Sequence, residues 1–591
     1  MADRSYWESS RVRSAISRRR ALGVGAAGLG GLFAAACGGS NNNSGNSSKT
    51  VATTAPSAAA ATGASPAATV ASTAAPQAPA GPSAAATAAA DKPVRGGTLR
   101  RGTWLNVLGI DPHIEVSVGL IMVAGVYTHL GAINNVEQKW HPIFAESVEQ
   151  KSPTEFVFKL RSGVKFHNIA PVNGREVVAD DLLYSYQRIR DEPRSQGGTF
   201  FKSFVDKMEA VDPHTFRLTT KQPYSETLTE VGEWNRAVVA REAVEKFGDL
   251  SQNAIGAGPY MLDEYVKGEK TNLKRNPDYF DKTVAFPDAI KWTTILDLNT
   301  LVQAYKNDQF DIGAGPYEGA LLTKLDYDDL KGNAKLITTK MPALHYGYFG
   351  VNASQKPFDD PRVRQALWLA VDRSQFVDKV FLGEGTPQAI LNNGLTFWAL
   401  SQDEIKPYVT TDLKKAKDLL TAAGYPNGFD LTIDSSGGVQ LYIDHLEVLI
   451  PQLKKIGVNV TPRLSDLPSF LSDRLFQGKF DSVVLTGNPY ETPMRPLDFY
   501  HKNGVAGLNW YHYDNAKVNG LVDAQKGELD INKRQALVKD AQRAILEDWA
   551  PLMSFVSPTL FLSQNKRVGG FDPTQRKYVY YTYGEYLKPN G

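Results

Sequence analysis

Cysteine is nearly absent from this sequence: Cys37 is the only one among 591 residues, so no disulfide can form within the chain. A basic excess is also missing, because the formal net charge is only +2. Nucleic-acid-binding proteins usually carry such an excess, so no nucleic-acid partner is expected. The 9 histidines lack the spacing of metal ligands, and we expect neither a metal nor a cofactor.

Sequence motifs of catalysis are missing as well, including H-E-x-x-H, a P-loop and a G-x-S-x-G elbow. The segment from Gly23 to Gly28 matches G-x-G-x-x-G, but it lies in an N-terminal targeting segment without the strand that a dinucleotide site needs. The acid pairs Asp180-Asp181 and Asp359-Asp360 suit helix starts better than catalytic dyads. An enzyme is therefore not expected. A membrane-tethered secreted hydrolase stays open as the alternative, since sequence cannot show two carboxylates facing each other across a cleft.

The N-terminus carries export signals. Arginines between Arg11 and Arg20 precede the uncharged segment from Ala21 to Ala36, which spans roughly 24 Å as a helix, short of the ~30 Å hydrocarbon core. A signal peptide over residues 1–37 is favoured over a transmembrane helix. Small residues before Cys37 resemble a lipobox, with Ala34 in place of the usual Leu, and Ser17 to Leu22 resembles a twin-arginine signal. We expect lipidation at Cys37 and an extracytoplasmic location, at the cell surface or in the periplasm. The alternative is a soluble-export signal with an incidental cysteine.

Residues 38–92 form a compositionally distinct tract of Gly, Asn and Ser followed by Ala, Thr and Pro. From Gly38 to Ala90 there is no aromatic residue and no acid. Such a segment cannot bury enough apolar surface to offset its ordering entropy, so it is predicted to be a disordered tether. Its prolines favour extended conformations, and a glycosylated stalk is the alternative.

From residue 93 onward, strand and helix signals alternate, which predicts an α/β fold. Predicted strands cover residues 97–102, 155–160, 215–219 and 271–274. Predicted helices cover 177–190 and 374–381, begin at the N-caps Asp360 and Asp412, and carry the stripe Leu537, Ala541 and Ile545. The segment from Val116 to Val136 lacks Lys, Arg, Asp and Glu, but its polar residues and glycines favour a buried helix and turn over a membrane span.

Several sequence blocks occur in a fixed order along this region. They are Gly96-Gly97-Thr98-Leu99 with Asp111-Pro112-His113, Phe158 to His167, Ala179-Asp180-Asp181, Gly256-Ala257-Gly258-Pro259-Tyr260, Arg275 to Tyr279, Pro357 to Arg373, Ala422 to Phe429, and Leu453 to Val458. Taken together, they resemble family 5 of the bacterial extracellular solute-binding proteins, the peptide and nickel binders of ABC importers.

The resemblance implies a two-lobed periplasmic-binding-protein fold (class II, cluster C type) with an extra domain. Lobe I would comprise residues 93–135, 253–345 and 555–591, the extra domain 136–252, and lobe II 346–554. A solute would lie between the two lobes. The implied partners are ABC permease and ATPase subunits, with a lipid anchor in the membrane, and we expect a monomer.

In peptide-binding members of the family, an aspartate that follows a lobe II strand pairs with the amino terminus of the peptide. The corresponding position here holds Asn488, whose neutral amide forms no charge-assisted bond with an ammonium. Glu491 takes this role if the loop alignment is shifted, and Asp498 is a further option. The alternative is that Asn488-Pro489 only shapes a turn.

Other solute-contact candidates are aromatic or polar residues near the implied cleft: Tyr490, Trp510, Tyr511 and Trp398 from lobe II, Asp111 and His113 from lobe I, and Tyr346, beside His345 and Tyr348, on a hinge strand. Flat aromatic faces stack on peptide planes or sugar rings, and packing in the core is the alternative for each. The expected solute is peptide-like or a small polar organic molecule. An oligosaccharide or a nickel chelate is the alternative within the family.

Overall fold

The computed structural model describes residues 92–591 except 105–106, 115–121, 135–137, 196, 315–321, 344–345, 488–491, 505–508, 572–583 and 589–591. The predicted signal peptide, Cys37 and the tether up to residue 91 lie outside these residues. Within the described part of the chain, no helix combines the length and the apolar character that crossing a membrane requires.

The largest sheet has the strand order β12-β19-β11-β1-β10-β9-β8, with β14 paired to β19. Strand β1 runs parallel to β10 and β11, and the remaining neighbours pair antiparallel. The strands are β1 (Thr98–Thr103), β8 (Tyr260–Val266), β9 (Lys270–Arg275), β10 (Ala289–Thr294), β11 (Ile312–Ala314), β12 (Leu336–Pro342), β14 (Gly385–Pro387) and β19 (Val556–Asn565). The sequence signals for β1 and β9 predicted these strands to within one residue.

A four-stranded antiparallel sheet has the order β4-β5-β7-β6. Its strands are β4 (Ala145–Ser152), β5 (Glu155–Leu160), β6 (Val205–Asp212) and β7 (Thr215–Thr220). Helix α1 (Ala179–Asp191) covers one face, where the edge of Tyr186 contacts Phe216 with ring centroids 5.7 Å apart. The helix begins two residues later than predicted because the Asp181 carboxylate accepts the backbone N–H of Val178 at 3.0 Å.

A five-stranded sheet has the order β16-β15-β17-β13-β18. Strand β15 runs parallel to both β16 and β17, whereas β13 runs antiparallel to β17 and β18. The strands are β13 (Tyr346–Val351), β15 (Phe429–Ser436), β16 (Val458–Ser465), β17 (Ser482–Gly487) and β18 (Leu552–Ser554). Two short ribbons complete the set, namely β2 (Gly131–Asn134) with β3 (Lys139–Pro142) and β20 (Val568–Gly569) with β21 (Tyr586–Leu587).

The other helices surround these sheets. They are α2 (Gly198–Ser203), α3 (Thr227–Val231), α4 (Arg241–Phe247), α5 (Leu298–Lys306), α6 (Lys324–Leu330), α7 (Pro361–Ala370), α8 (Ser374–Val380), α9 (Gln402–Val409), α10 (Leu413–Ala422), α11 (Gln440–Lys454), α12 (Leu467–Ser469), α13 (Met494–Asp498), α14 (Ala516–Gly527) and α15 (Ile531–Glu547). A π-helical stretch (Phe470–Leu475) continues α12.

Helix starts agree with the capping signals in the sequence. The Asp360 carboxylate accepts the N–H of Arg362 at 2.8 Å at the start of α7, and Asp412 accepts that of Lys415 at 2.9 Å at the start of α10. Each carboxylate satisfies a backbone donor that has no partner within its own helix. The interpretation of Asp359-Asp360 and Asp180-Asp181 as helix starts is therefore confirmed.

The expectation of a helix and turn between Val116 and Val136 was wrong in its second half. The described part contains a 3-10 turn (Ala124–Val126) and then strand β2 (Gly131–Asn134). Gly131 allows this pairing, since a Cβ there would lie only 2.1 Å from the indole of Trp140 on β3. An apolar segment thus forms a strand because its partner strand follows at once.

Each strand of the four-stranded sheet lies within the segment predicted as the extra domain, and each strand of the five-stranded sheet lies within predicted lobe II. Strand β14 departs from the pattern, because it comes from predicted lobe II but pairs with β19 of the largest sheet. The domain boundaries themselves stay a prediction.

Candidate functional site

The chain passes directly between the largest sheet and the five-stranded sheet at two places. Residues 343–345 connect β12 to β13, and Phe555 connects β18 to β19. The N–H of Phe555 donates to the Gly347 carbonyl at 2.9 Å, and the N–H of Ala343 donates to the Pro558 carbonyl at 2.8 Å. The two connections therefore lie side by side, and we call them the inter-sheet crossing.

Aromatic rings fill the space around the crossing. Phe376 of α8 stacks on Phe555 with ring centroids 4.2 Å apart, and the imidazole of His445 stacks on Phe555 at 5.3 Å. Burial lowers the pKa of His445 to about 4, so the ring is neutral at pH 7. A Cβ on Gly347 would lie 2.2 Å from the His445 Nε2 atom, so only glycine fits at this point of β13.

The parallel strands of the five-stranded sheet end beside the crossing. Gly487, the last residue of β17, pairs with Tyr346, the first residue of β13. The carboxyl ends of β15 and β17 point in the same direction because these strands are parallel. In open α/β sheets, ligands bind in the crevice outside the carboxyl ends of the strands. This edge of the sheet is the candidate site.

The edge is held together by short polar contacts. Asp434 near the end of β15 accepts two hydrogen bonds from the Arg463 guanidinium, both at 2.6 Å. The hydroxyl of Ser435 donates to the Val484 carbonyl at 2.7 Å, and the N–H of Gly437 donates to the Ser465 carbonyl at 2.9 Å. The site therefore rests on strands whose ends are fixed to one another.

The predicted solute-contact residues Asn488, Tyr490 and Glu491 directly follow β17 and lie outside the described residues, as do His345 and the side chain of Tyr346. The backbone of Tyr346 begins β13, as predicted for a strand at the hinge. Their roles in solute binding stay predictions. The structure shows only that the segment carrying them starts at the candidate edge.

The other predicted aromatics of lobe II lie in the interior. Trp398 is 2 % exposed, with the guanidinium of Arg534 over its ring at 4.9 Å. Trp510 contacts Phe476 and Phe499, with ring centroids 5.1 and 5.5 Å away. Tyr511 is fully buried and fills the space above Gly350 of β13, where a Cβ would come within 2.2 Å of its ring. This packing corresponds to the alternative of a core role for all three, as it does for the buried Tyr348.

Asp111 and His113 are also buried, and they connect lobe I residues to the four-stranded body. The Asp111 carboxylate accepts two hydrogen bonds from Arg188 of α1, at 3.0 and 2.7 Å, and one from the N–H of Leu250 at 2.8 Å. Burial acts to raise the pKa of Asp111, but the Arg188 hydrogen bonds outweigh it and the pKa is lowered. His113 Nε2 lies 2.9 Å from the Ala237 carbonyl, and burial lowers its pKa to about 4. This geometry supports a structural role.

Asp498, the further option for binding an amine, already has a partner. Its carboxylate lies 2.8 Å from the ammonium of Lys526, and it is fully buried. Burial raises the pKa of Asp498 despite that ammonium. A solute amine would have to displace Lys526 to reach it.

Sequence reasoning missed a buried arginine near the crossing. Arg373 is 1 % exposed, and its Nε donates to the Ser554 carbonyl at 3.1 Å. Its guanidinium lies over the ring of Trp368 at 5.4 Å, and burial lowers its pKa to about 9. It also missed Glu226, Thr492 and Arg534, of which Glu226 contacts the other two between the four-stranded and the five-stranded sheets. No local pattern marks these residues, because their partners are far away in the chain.

Among the described residues, no group of three or more His, Cys, Asp and Glu side chains is arranged to hold a metal ion. The polar groups described at the candidate edge are hydroxyls, backbone groups and Asp434 with its partners Arg463 and Arg474. Such a set suits recognition of a polar organic solute by hydrogen bonds.

Comparison with known proteins gives consistent results. The sequence model of the "Bacterial extracellular solute-binding proteins, family 5 Middle" matches residues 139–506. The glutathione-binding protein GsiB of Salmonella typhimurium is 28% identical over 436 residues, covering 70% of this chain and 80% of that protein. GsiB of Shigella dysenteriae serotype 1 is 28% identical over 449 residues, covering 74% and 84%.

Solved structures share the fold. The periplasmic binding protein DppA from Helicobacter pylori, in complex with the peptide STSA, superposes with a TM-score of 0.65 at 23% identity and covers 84% of this chain and 99% of its own. HbpA2 from Haemophilus parasuis gives 0.73 at 22% identity, covering 83% and 100%. A dipeptide-binding protein from a Pseudoalteromonas species, bound to Met-Leu, gives 0.64 at 24% identity, covering 80% and 97%. The prediction of a two-lobed binding-protein fold is thereby confirmed.

Proposed function

The chain belongs to family 5 of the bacterial extracellular solute-binding proteins, and on that premise we propose that it captures a peptide-like solute at the candidate edge and delivers it to an ABC importer. The observation that carries this proposal is the position of the carboxyl end of β17 beside the inter-sheet crossing. A solute held there contacts both lobes. Binding of the solute therefore favours the arrangement of the lobes in which the solute contacts both of them.

The relatives narrow the solute class. The GsiB proteins are named for glutathione, and two of the structural neighbours hold a tetrapeptide and a dipeptide. We propose glutathione or another short peptide-like molecule as the solute. Asn488, Tyr490, Glu491 and Tyr346 would provide its contacts, and the buried Trp398, Trp510, Tyr511, Asp111 and His113 would form the supporting framework.

Asn488 bears on the charge of the solute. An amide at this position offers no anion to the ammonium of a free peptide amine, so the solute's amine must be met elsewhere or carry no charge. We propose that the site favours solutes whose recognition does not depend on pairing an ammonium with residue 488.

Calorimetric titration with reduced glutathione, STSA and Met-Leu, each with its N-acetylated form, tests the proposed solute class and the proposed role of Asn488. The wild type should bind at least one of them saturably without releasing a product. Asn488→Asp should tighten binding of free-amine Met-Leu by about tenfold and leave N-acetyl-Met-Leu unchanged, because only the former carries an ammonium. Asn515→Asp is a matched control, since the Asn515 side chain caps α14 by accepting the N–H of Val518, which an aspartate also does.

The following results would count against the proposal. Binding of none of these compounds would remove the peptide-like solute, and binding of a nickel chelate or an oligosaccharide instead would support the alternatives within the family. Steady release of product from a peptide or glycoside would support the hydrolase alternative. Equal affinity of the Asn488→Asp variant for both forms of Met-Leu would show that residue 488 does not face the amine.

We also propose that Cys37 is lipidated and anchors the protein at the outer face of the membrane, where ABC permease and ATPase subunits receive the solute. The signal residues before Cys37 and the extracytoplasmic family support this. In the native host, wild-type protein should partition into the detergent phase of Triton X-114 and Cys37→Ser into the aqueous phase. Equal partitioning would contradict the anchor. Gel filtration of the detergent-solubilised protein tests the proposed monomer.

A further inference from the structure

A buried ion pair joins the part of the chain around the four-stranded sheet to the part around the five-stranded sheet. Glu226 precedes helix α3, is 4 % exposed, and accepts a hydrogen bond from Arg534 Nη2 at 2.6 Å. Its second oxygen accepts the hydroxyl of Thr492 at 3.0 Å. Arg534 lies in α15 and is itself 5 % exposed. Both charges are therefore nearly withdrawn from water.

The two partners belong to different hydrophobic cores. Val231 of α3 is buried in the core that includes the four-stranded sheet. Val538 and Ile545 of α15 are buried in the core of the five-stranded sheet. The Glu226–Arg534 contact thus connects two bodies that each have a core of their own.

Further contacts surround the ion pair and cross the same boundary. The N–H of Ser225 donates to the Lys526 carbonyl at 2.7 Å, and its hydroxyl donates to the Gln525 carbonyl at 3.1 Å. Arg534 Nε donates to the Gln525 side chain at 3.1 Å, which fixes the guanidinium on the α14 side. Met494 of α13 is buried in the core of the opposite body. Glu226 therefore lies within a dry, specific interface.

Burying an unpaired charge in such an interface costs free energy. Whether the charge lies within one core or between two cores decides which change of the protein exposes it to water. Within one core, the lone charge stays buried unless the core unfolds. Between two cores, separation of the bodies lets water reach the charge while each core stays folded. Loss of one partner should therefore shift the protein toward separated bodies rather than toward global unfolding.

We propose that Glu226 and Arg534 form a latch that holds the five-stranded body against the four-stranded body, and that Glu226 positions Thr492, the first described residue after β17. Thr492 directly follows residues 488–491 in the sequence, and these residues are predicted to contact the solute. This second part rests on the proposed function. Glu226 is a positioning residue, since it acts on the solute through Thr492 and through the arrangement of the bodies.

Hydrogen exchange of the full chain tests the latch without any solute. Glu226→Gln should raise exchange in peptides from both sides of the boundary, around residues 222–231 and 521–538, with little change in melting temperature. Glu230→Gln is the matched control, because Glu230 pairs with Arg236 at 2.7 Å inside the same body. It should raise exchange only near its own pair. The double variant E226Q/R534Q removes both charges of this pair and should recover much of the wild-type protection.

Release of radiolabelled glutathione tests the positioning role. Glu226→Gln should release it about tenfold faster than the wild type, Thr492→Val should also release it faster, and Glu230→Gln should not. Unchanged exchange across the boundary in Glu226→Gln, or a loss confined to melting temperature, would overturn the latch. If the wild type binds no glutathione, the proposed solute fails, while the exchange experiment still decides the latch.

Discussion

Close packing, together with hydrogen bonds, fixes single residues at the inter-sheet crossing. His445 donates through one ring nitrogen to the Leu441 carbonyl at 2.5 Å, and its ring stacks on Phe555. Gly347 has no side chain because that ring occupies the space. The glycine, the imidazole and the phenyl ring thus form one unit at the point where the chain passes between sheets.

Gly347→Ala should destabilise the protein by about 1–3 kcal/mol, because the new methyl group overlaps His445 and forces the ring from its stack. Thermal unfolding measures the loss. Gly332→Ala is the control, since no atom lies within 4 Å of a Cβ placed there, and it should change stability by less than about 0.5 kcal/mol. Equal effects of the two substitutions would contradict the packing argument.

At the scale of elements, the sequence signals for helix starts are local, whereas those for strand pairing are not. A capping carboxylate meets N–H groups two or three residues ahead, so Asp360 and Asp412 mark their helices in the sequence itself. Strand β2 was not predicted because the partner that identifies it is β3, and the pairing of β14 with β19 was not predicted because the two strands are more than 150 residues apart. Pairing partners are a property of the fold.

Asp530→Ala should destabilise the protein by about 1 kcal/mol, because Asp530 accepts the N–H groups of Asn532 and Lys533 at 3.0 and 2.9 Å at the start of α15. Denaturant unfolding gives the value. Asp540→Ala lies in the same helix and removes only an exposed pair with Arg543, so less than about 0.5 kcal/mol is expected. A loss at Asp540 as large as that at Asp530 would refute the capping role.

Across the whole molecule, buried histidines link stability to pH. Burial lowers the pKa of four of them to about 4: His113, His129, His167 and His445. The unfolded chain binds protons on these rings near pH 6.5, whereas the folded chain does not until about pH 4. Their contribution is complete above pH 6.5 and is lost as the pH falls toward 4. Glu230 and Asp498 act in the opposite direction, because burial raises the pKa of each.

The melting temperature should therefore fall between pH 7 and pH 5, with the histidines costing on the order of 1 kcal/mol each at pH 5. His167→Gln should flatten this dependence, since protonated His167 can no longer accept the N–H of Gly256, which lies 3.3 Å from its Nδ1. His214→Gln is the control, because that ring is partly exposed. A melting temperature that does not change over this interval would contradict the assignment of neutral buried rings.

The sequence by itself determined the family, the starts of several helices and the strands β1, β5, β7 and β9. The family blocks and the caps are local, so each is complete within a few residues. Only the tertiary structure decided where the described aromatic and charged candidates lie. Trp398, Trp510 and Tyr511 have the same side chains whether they line a cleft or a core, and their neighbours make them core.

The same holds for Glu226 and Arg534, which are 308 residues apart and adjacent in space. In the sequence each is an ordinary charged residue, typical of a solvated surface. In the folded protein the two residues are buried and paired, and they form a contact between two bodies. Their burial and their pairing depend on how the whole chain packs. Local chemistry therefore determined what kind of protein this is, whereas long-range packing decided which of its residues can meet.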